Sequence, residues 1–236
     1  MALSLPGKSI FFGNIKGGVG KSTLCMFLYE IIREKLSHYK THLIDTDPQM
    51  TASTILRGMI PAEEIRQLPT GDHFEGVGIS SLDGLIKNTL IDENNIIFID
   101  SGAGRLGSMM QVVRLTDVII VPTSLSWTDL RPTLEFIHNI DELKQDYGIT
   151  NPHIVVVPNR ISPNQRDYSI LNDFVKDINV IIAPPISDYA IVRNKSHGYK
   201  GISDIKGSKF HAELERLASF LISHVISGEL DRIYGT

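Results

Sequence analysis

The run Gly13-Asn14-Ile15-Lys16-Gly17-Gly18-Val19-Gly20-Lys21-Ser22-Thr23 joins a short apolar segment to a helical pattern. Glycines at 17, 18 and 20 let a backbone curl so that its N–H groups face one point, at the positive end of the following helix. This is the chemistry of a loop that cradles phosphates. Lys21 would bridge the β- and γ-phosphates, the Ser22 hydroxyl would bind Mg²⁺, and Thr23 would reach toward the α-phosphate. Gly17, Gly18, Val19 and Gly20 would supply backbone donors. The common form of the motif has glycine five positions before Gly20; here that place is Ile15, and a second lysine, Lys16, follows it.

Two further segments end in carboxylates. Leu43-Ile44-Asp45-Thr46-Asp47-Pro48-Gln49 follows an apolar run, so Asp45 and Asp47 sit where ligands bind in open α/β sheets, at a strand's carboxyl end. Asp47-Pro48 is equally a good helix start, and a capping role stays open for both acids. Asn95-Ile96-Ile97-Phe98-Ile99-Asp100 is an apolar strand ending in a carboxylate suited to holding Mg²⁺ through water, and Gly102 and Gly104 follow it.

Together these residues resemble the ParA/MinD family of deviant Walker A ATPases, whose Lys-Gly-Gly-x-Gly-Lys-Ser/Thr signature is matched by residues 16 to 22. The resemblance implies ATP and Mg²⁺ as ligands and a homodimer with ATP sandwiched between two copies, Lys16 reaching the nucleotide of the other subunit. It also implies that Asp47 orients the attacking water and that Asp45, with Ser22 and Asp100, supports the metal. Asn159, at the end of Val155-Val156-Val157-Pro158, matches the family's adenine contact, and Pro184 and Pro185 would flank the base. Arg160 reads equally as a salt-bridge residue. Asp117 and Asp129 fit the family pattern around the fourth core strand or cap an element.

The elements that must carry these residues follow from periodicity. Apolar runs at Ser9 to Phe12, Thr41 to Ile44, Asn95 to Ile99, Val118 to Val121, Ile154 to Val157 and Val180 to Ile182 alternate with helical patterns. The helices are placed at Lys21 to Leu36, Gln49 to Arg57, Ser81 to Thr89, Leu106 to Leu115, Asp129 to Tyr147, Gln165 to Lys176 and Ser208 to Ser227. Alternation predicts a doubly wound, mostly parallel α/β sheet with helices on both faces, as one domain over residues 1–236. Residues Ile60 to Gly78 read as an excursion from the core.

Composition narrows the class. With 42% apolar residues and 21% charged, the chain is globular, and its one cysteine, Cys25, excludes an intrachain disulfide or a cysteine-held metal. The apolar runs are too short for a membrane span and no leader pattern opens the chain, so the expected compartment is the cytoplasm. The eight histidines have no metal spacing, and Trp127 reads as packing at the domain edge.

The net charge of −4 is unevenly spread: Arg193, Lys195, Lys200, Lys206 and Lys209 against Asp204 leave +4 on residues 193–209 and −8 elsewhere. Ser196-His197-Gly198 is similar to the Ser-x-Gly that precedes a basic DNA-facing surface in ParA proteins. The resemblance therefore implies sequence-independent DNA binding, nucleoid association and a small centromere-binding, ParB-like partner, while the first strand near Ser9 leaves no room for an N-terminal helix-turn-helix. A MinD-like membrane anchor would need a cationic tail, and Glu229 and Asp231 against Arg232 do not make one. Movement of another cargo, and a nucleotide-gated binding module without hydrolysis, are the alternatives; the bare lysine-rich segment also reads as a solvated loop.

Overall fold

Strands whose every side chain is apolar or small are stable only when covered on both faces, which is the condition of a parallel sheet between helical layers. The computed structural model describes residues 7–68, 77–103, 112–165, 167–190, 199 and 201–226, with backbone alone at 77–81 and 225. Its strands are β1 (Lys8–Phe12), β2 (Lys40–Asp45), β3 (Ile65–Gln67), β4 (Asn95–Asp100), β5 (Val118–Thr123), β6 (His153–Pro158) and β7 (Ile181–Ile182). They form a seven-stranded sheet in the order β3-β2-β4-β1-β5-β6-β7. All the pairings are parallel. β4 and β5 are buried throughout.

The helices are α1 (Lys21–Lys35), α2 (Thr51–Leu56), α3 (Val77–Leu90), α4 (Trp127–Tyr147), α5 (Ser169–Val175) and α6 (Lys209–Leu221), the last continued by a π-turn over Ile222–Ile226. Alternate side chains of each strand enter opposite layers. Ile10, Phe12, Leu43, Phe98 and Ile120 pack with α1 and α6 through Leu28, Ile32, Leu214 and Leu217. Phe11, Ile44, Ile99, Ile119 and Val156 pack with α3 and α4 through Ile86, Leu90, Phe136 and Ile140. The predicted strands recur within one or two residues. The helix expected from Leu106 lies mostly outside the described residues.

Residues 60–78 are not wholly an excursion from the core. β3 pairs Leu43, Ile44 and Asp45 with Ile65, Arg66 and Gln67, so part of the expected excursion is the edge strand of the sheet. Arg66 and Gln67 give it no apolar run, as suits a short strand whose outer edge is exposed.

Register sets the site. Phe12 pairs with Asp100, and Asp100 with Asp45, so β1, β4 and β2 end on one line and deliver the phosphate loop and two carboxylates to the same edge. The first strand is fixed by Asp117, whose Oδ2 accepts from the Ser9 amide and hydroxyl, both at 2.8 Å. At the other end of the chain, α6 buries an apolar stripe of Phe210, Leu214, Leu217 and Leu221. Leu217→Ala should destabilise the protein by about 2–5 kcal/mol, the usual loss for a fully buried leucine. Urea unfolding measures this, and a change under about 1 kcal/mol would mean that α6 is not docked as described.

Candidate functional site: a phosphate loop over a buried carboxylate

The loop over residues 13–20 is braced from three sides. At its entry, the buried Asn14 amide donates to the Pro122 carbonyl at 3.0 Å and to the Thr133 hydroxyl at 2.8 Å. Its Oδ1 accepts the Lys16 amide at 2.9 Å. At its exit, Asn159 Nδ2 donates to the Val19 carbonyl at 2.7 Å and Arg160 to the Gly18 carbonyl at 2.9 Å. Gly20 turns into α1 with φ 98°, a conformation that favours glycine, and a Cβ there would push the Asn159 amide from its place against the loop.

Lys21 crosses the loop. Its Nζ donates to the Lys16 carbonyl at 3.1 Å, and the side chain is almost fully buried. Burial lowers its pKa, while the charges of Asp100 and Asp47 work to keep it protonated. A cation held this way, at a helix N-terminus, favours an anionic ligand.

Asp100 is the opposite case. It is fully buried, and neither carboxylate oxygen has a hydrogen-bond partner. Burial pushes its pKa up to about 8; Asp45 and Asp47 reinforce the shift, and Ser22 and Lys21 oppose it. The Ser22 hydroxyl thus lies near enough to favour the charged form without completing a hydrogen bond of good geometry. A buried carboxylate without partners is costly unless a cation completes it. Among the described residues no group of three or more His, Cys, Asp or Glu side chains is arranged to hold a metal. The Asp100 carboxylate and the Ser22 hydroxyl are oxygen donors of the kind that would suit a Mg²⁺ brought with phosphates and water.

The two other carboxylates are differently engaged. Asp45 Oδ1 accepts the Asp47 amide at 3.1 Å and its Oδ2 accepts the Ser53 amide at 2.9 Å, so it braces the turn into α2, whose N-cap position is Met50. Asp47 is half-exposed; its Oδ1 accepts the Gln49 amide at 2.8 Å, and the Gly102 backbone packs beside it and Pro48. Lys16 sits at the rim, its side chain 38% exposed and its Nζ 3.7 Å from Asp129, which also accepts from the Ser124 hydroxyl at 2.7 Å. Nearby, Trp127 is largely exposed and meets Phe174 edge to face.

Beside the loop is a cavity of about 270 Å³, lined among others by Thr23, Asn159, Arg160, Ser187, Tyr189 and Phe210. Asn159 thus reaches it, whereas the lining beyond β7 is Ile186 to Tyr189 and not Pro184 or Pro185. Of the basic stretch, Lys206 and Lys209 are exposed, and Lys206 lies 3.6 Å from Glu34. Arg193, Lys195, Lys200, Ser196 to Gly198 and the tail acids 229 and 231 lie outside the described residues. The bracing by Asn14 and Arg160 was missed in the sequence, since a side-chain bond to a distant carbonyl leaves no pattern in spacing.

The family model of the CobQ/CobB/MinD/ParA nucleotide-binding domain matches residues 10–196. The chain belongs to that family. Its fold is shared with a plasmid partition protein from Borrelia burgdorferi (TM-score 0.65, 16% identity, 93% of this chain and 99% of the other). It is shared with Cyanothece McdA in complex with ATP (0.70, 16%, 93% and 96%). It is shared also with MinD of Pyrococcus horikoshii complexed with Mg-ADP (0.66, 18%, 91% and 96%). No curated protein matches the sequence. No helix among the described residues is long and apolar enough to cross a membrane.

The Asp100 shift has a testable sign. The group ionises near pH 4 in the unfolded chain and near 8 when folded, so the folded state holds the extra proton between those values. Ligand-free protein should therefore lose stability as pH rises from about 4 to about 8. Asp100→Asn cannot titrate, so its melting temperature in metal-free buffer should exceed the wild type's by a margin that widens from pH 5 to pH 8. A margin independent of pH would contradict the assignment.

Proposed function

We propose that this member of the family is a Mg-ATP-dependent, dimerising ATPase that partitions DNA. The observation carrying the ATPase part is the buried, partnerless Asp100 carboxylate beside Lys21 and Ser22 at the mouth of the braced loop. In this reading the loop amides and Lys21 hold the phosphates, and Ser22 and Asp100 hold the cation. Mg²⁺, when bound, would neutralise charge on the β- and γ-phosphates. Asp47, half-exposed beside Gly102, orients the attacking water, and the loop of Gly102 and Gly104 rearranges when the γ-phosphate leaves. Asp45 supports the metal's surroundings by fixing Asp47 in place. Thr23 and Asn159 face the nucleoside end, and Pro184 and Pro185 lead into the segment that walls the cavity.

Lys16 completes the site of a second copy. It lies at the rim, half-exposed and only loosely paired with Asp129, so it is available to an ATP-loaded partner. A cation supplied in trans offsets repulsion between two ATP-loaded subunits and stabilises charge in the transition state. Non-specific DNA would meet the segment 193–209, of which Lys206 and Lys209 are exposed, and a dimer would present it twice. The plasmid partition relative supports the DNA cargo, and a small centromere-binding partner would stimulate hydrolysis at the nucleoid. A MinD-like anchor on lipid is the weaker reading, because the apolar stripe of α6 is spent on the core.

Three outcomes test this. Asp47→Ala should slow ATP hydrolysis by about a hundredfold or more while leaving ATP binding intact, and unchanged turnover would remove Asp47 from its role. Binding to arbitrary duplex DNA should require ATP, fall steeply with salt, and lose about one unit of salt slope per phosphate contact removed in Lys206→Glu or Lys209→Glu. ATP-dependent dimers that persist in Lys16→Ala would defeat the sandwich.

A further inference from the structure

The cavity's outer wall is the segment after β7, residues Ile186 to Tyr189. On its inner side it is tied by backbone bonds: the Ile186 amide to the Pro158 carbonyl and the Asp188 amide to the Ile161 carbonyl, both at 2.8 Å. A carboxylate of α6 holds it as well. Glu213, on α6, accepts the Ser187 amide at 2.7 Å, the Ser187 hydroxyl at 2.9 Å and the Tyr189 hydroxyl at 3.0 Å. Phe210, one turn earlier on α6, lines the same cavity and packs against the Tyr189 ring, with centroids 5.8 Å apart. Glu213 itself is not among the residues lining the cavity.

We propose that Glu213 is a positioning residue for the nucleoside end of the site: by gathering three donors of the wall onto one charge, it keeps the cavity formed before a ligand arrives. The inference rests on reading the cavity as the nucleoside pocket of the proposed ATPase. Charge-assisted hydrogen bonds are the strong ones, and a preformed wall avoids the ordering cost of binding. The phosphate loop is braced by other groups, Asn14, Asn159 and Arg160, so Glu213 acts on the nucleoside end alone. It also makes α6, the helix that follows the basic segment, part of the nucleotide site's support.

The test compares two ligands of the same folded protein in the presence of Mg²⁺: ADP, which spans both ends, and pyrophosphate, which fills only the phosphate loop. Glu213→Ala should weaken ADP by about tenfold, the scale of one charge-assisted bond, and leave pyrophosphate within about twofold. Glu213→Gln keeps an acceptor for the rotatable hydroxyls but not the charge, so it should fold normally and fall between. Ser187→Ala and Tyr189→Phe should each weaken ADP in the wild-type background and add nothing in Glu213→Ala, as expected when they act through that carboxylate. Wild-type affinity for ADP in Glu213→Ala, or parallel loss of ADP and pyrophosphate in both Glu213 variants, would overturn the inference. If the wild-type protein binds pyrophosphate but not ADP, or neither, the nucleotide reading falls and takes the inference with it.

Discussion

A carboxylate sealed from water with neither oxygen hydrogen-bonded is the constraint around which this structure is arranged. Asp100 is placed there by the sheet: β4 lies inside it, its last residue is in register with Phe12 and Asp45, and that residue is fully buried. An ionised carboxylate so placed is unfavourable by itself, and burial raises its pKa to about 8. Lys21 is the complementary case, a buried ammonium bonded to one carbonyl. A phosphate-bound cation would satisfy both at once, and on the function proposed above the two residues are halves of a site for an anion with its metal.

The rest of the fold keeps the distance between those halves fixed. A glycine-rich loop is floppy, and Gly18 and Gly20 adopt positive φ that other residues resist. Stiffness comes from side chains of remote elements: Asn14 reaches β5 and α4, while Asn159 and Arg160 at the end of β6 hold the Val19 and Gly18 carbonyls. Asp45 does the same for the turn carrying Asp47. Burial of α6 against α1 extends this support to the C-terminal helix.

Much of this was legible in the sequence. Apolar runs gave the central strands because those are buried on both faces, and the loop residues follow a spacing that phosphate chemistry demands. β3 escaped notice because an edge strand with Arg66 and Gln67 carries no periodic signal. Asn159 was singled out for a base contact, and in the structure it lines the cavity while its amide is engaged with the loop. Glu213 left no trace at all: a glutamate on the polar side of an amphipathic helix looks like any solvated residue until the wall segment is folded against it. Long-range polar contacts, unlike packing faces, have no period, and they are where sequence reasoning stops.

The central claim is that Asp100 is completed by a cation arriving with the nucleotide. The direct measurement is ADP affinity with Mg²⁺ and with EDTA, in wild type and Asp100→Asn, at a pH above 8 where the wild-type carboxylate is ionised. Mg²⁺ should strengthen ADP binding in the wild type and lose most of that effect in Asp100→Asn. An equal Mg²⁺ effect in the two proteins would contradict the account.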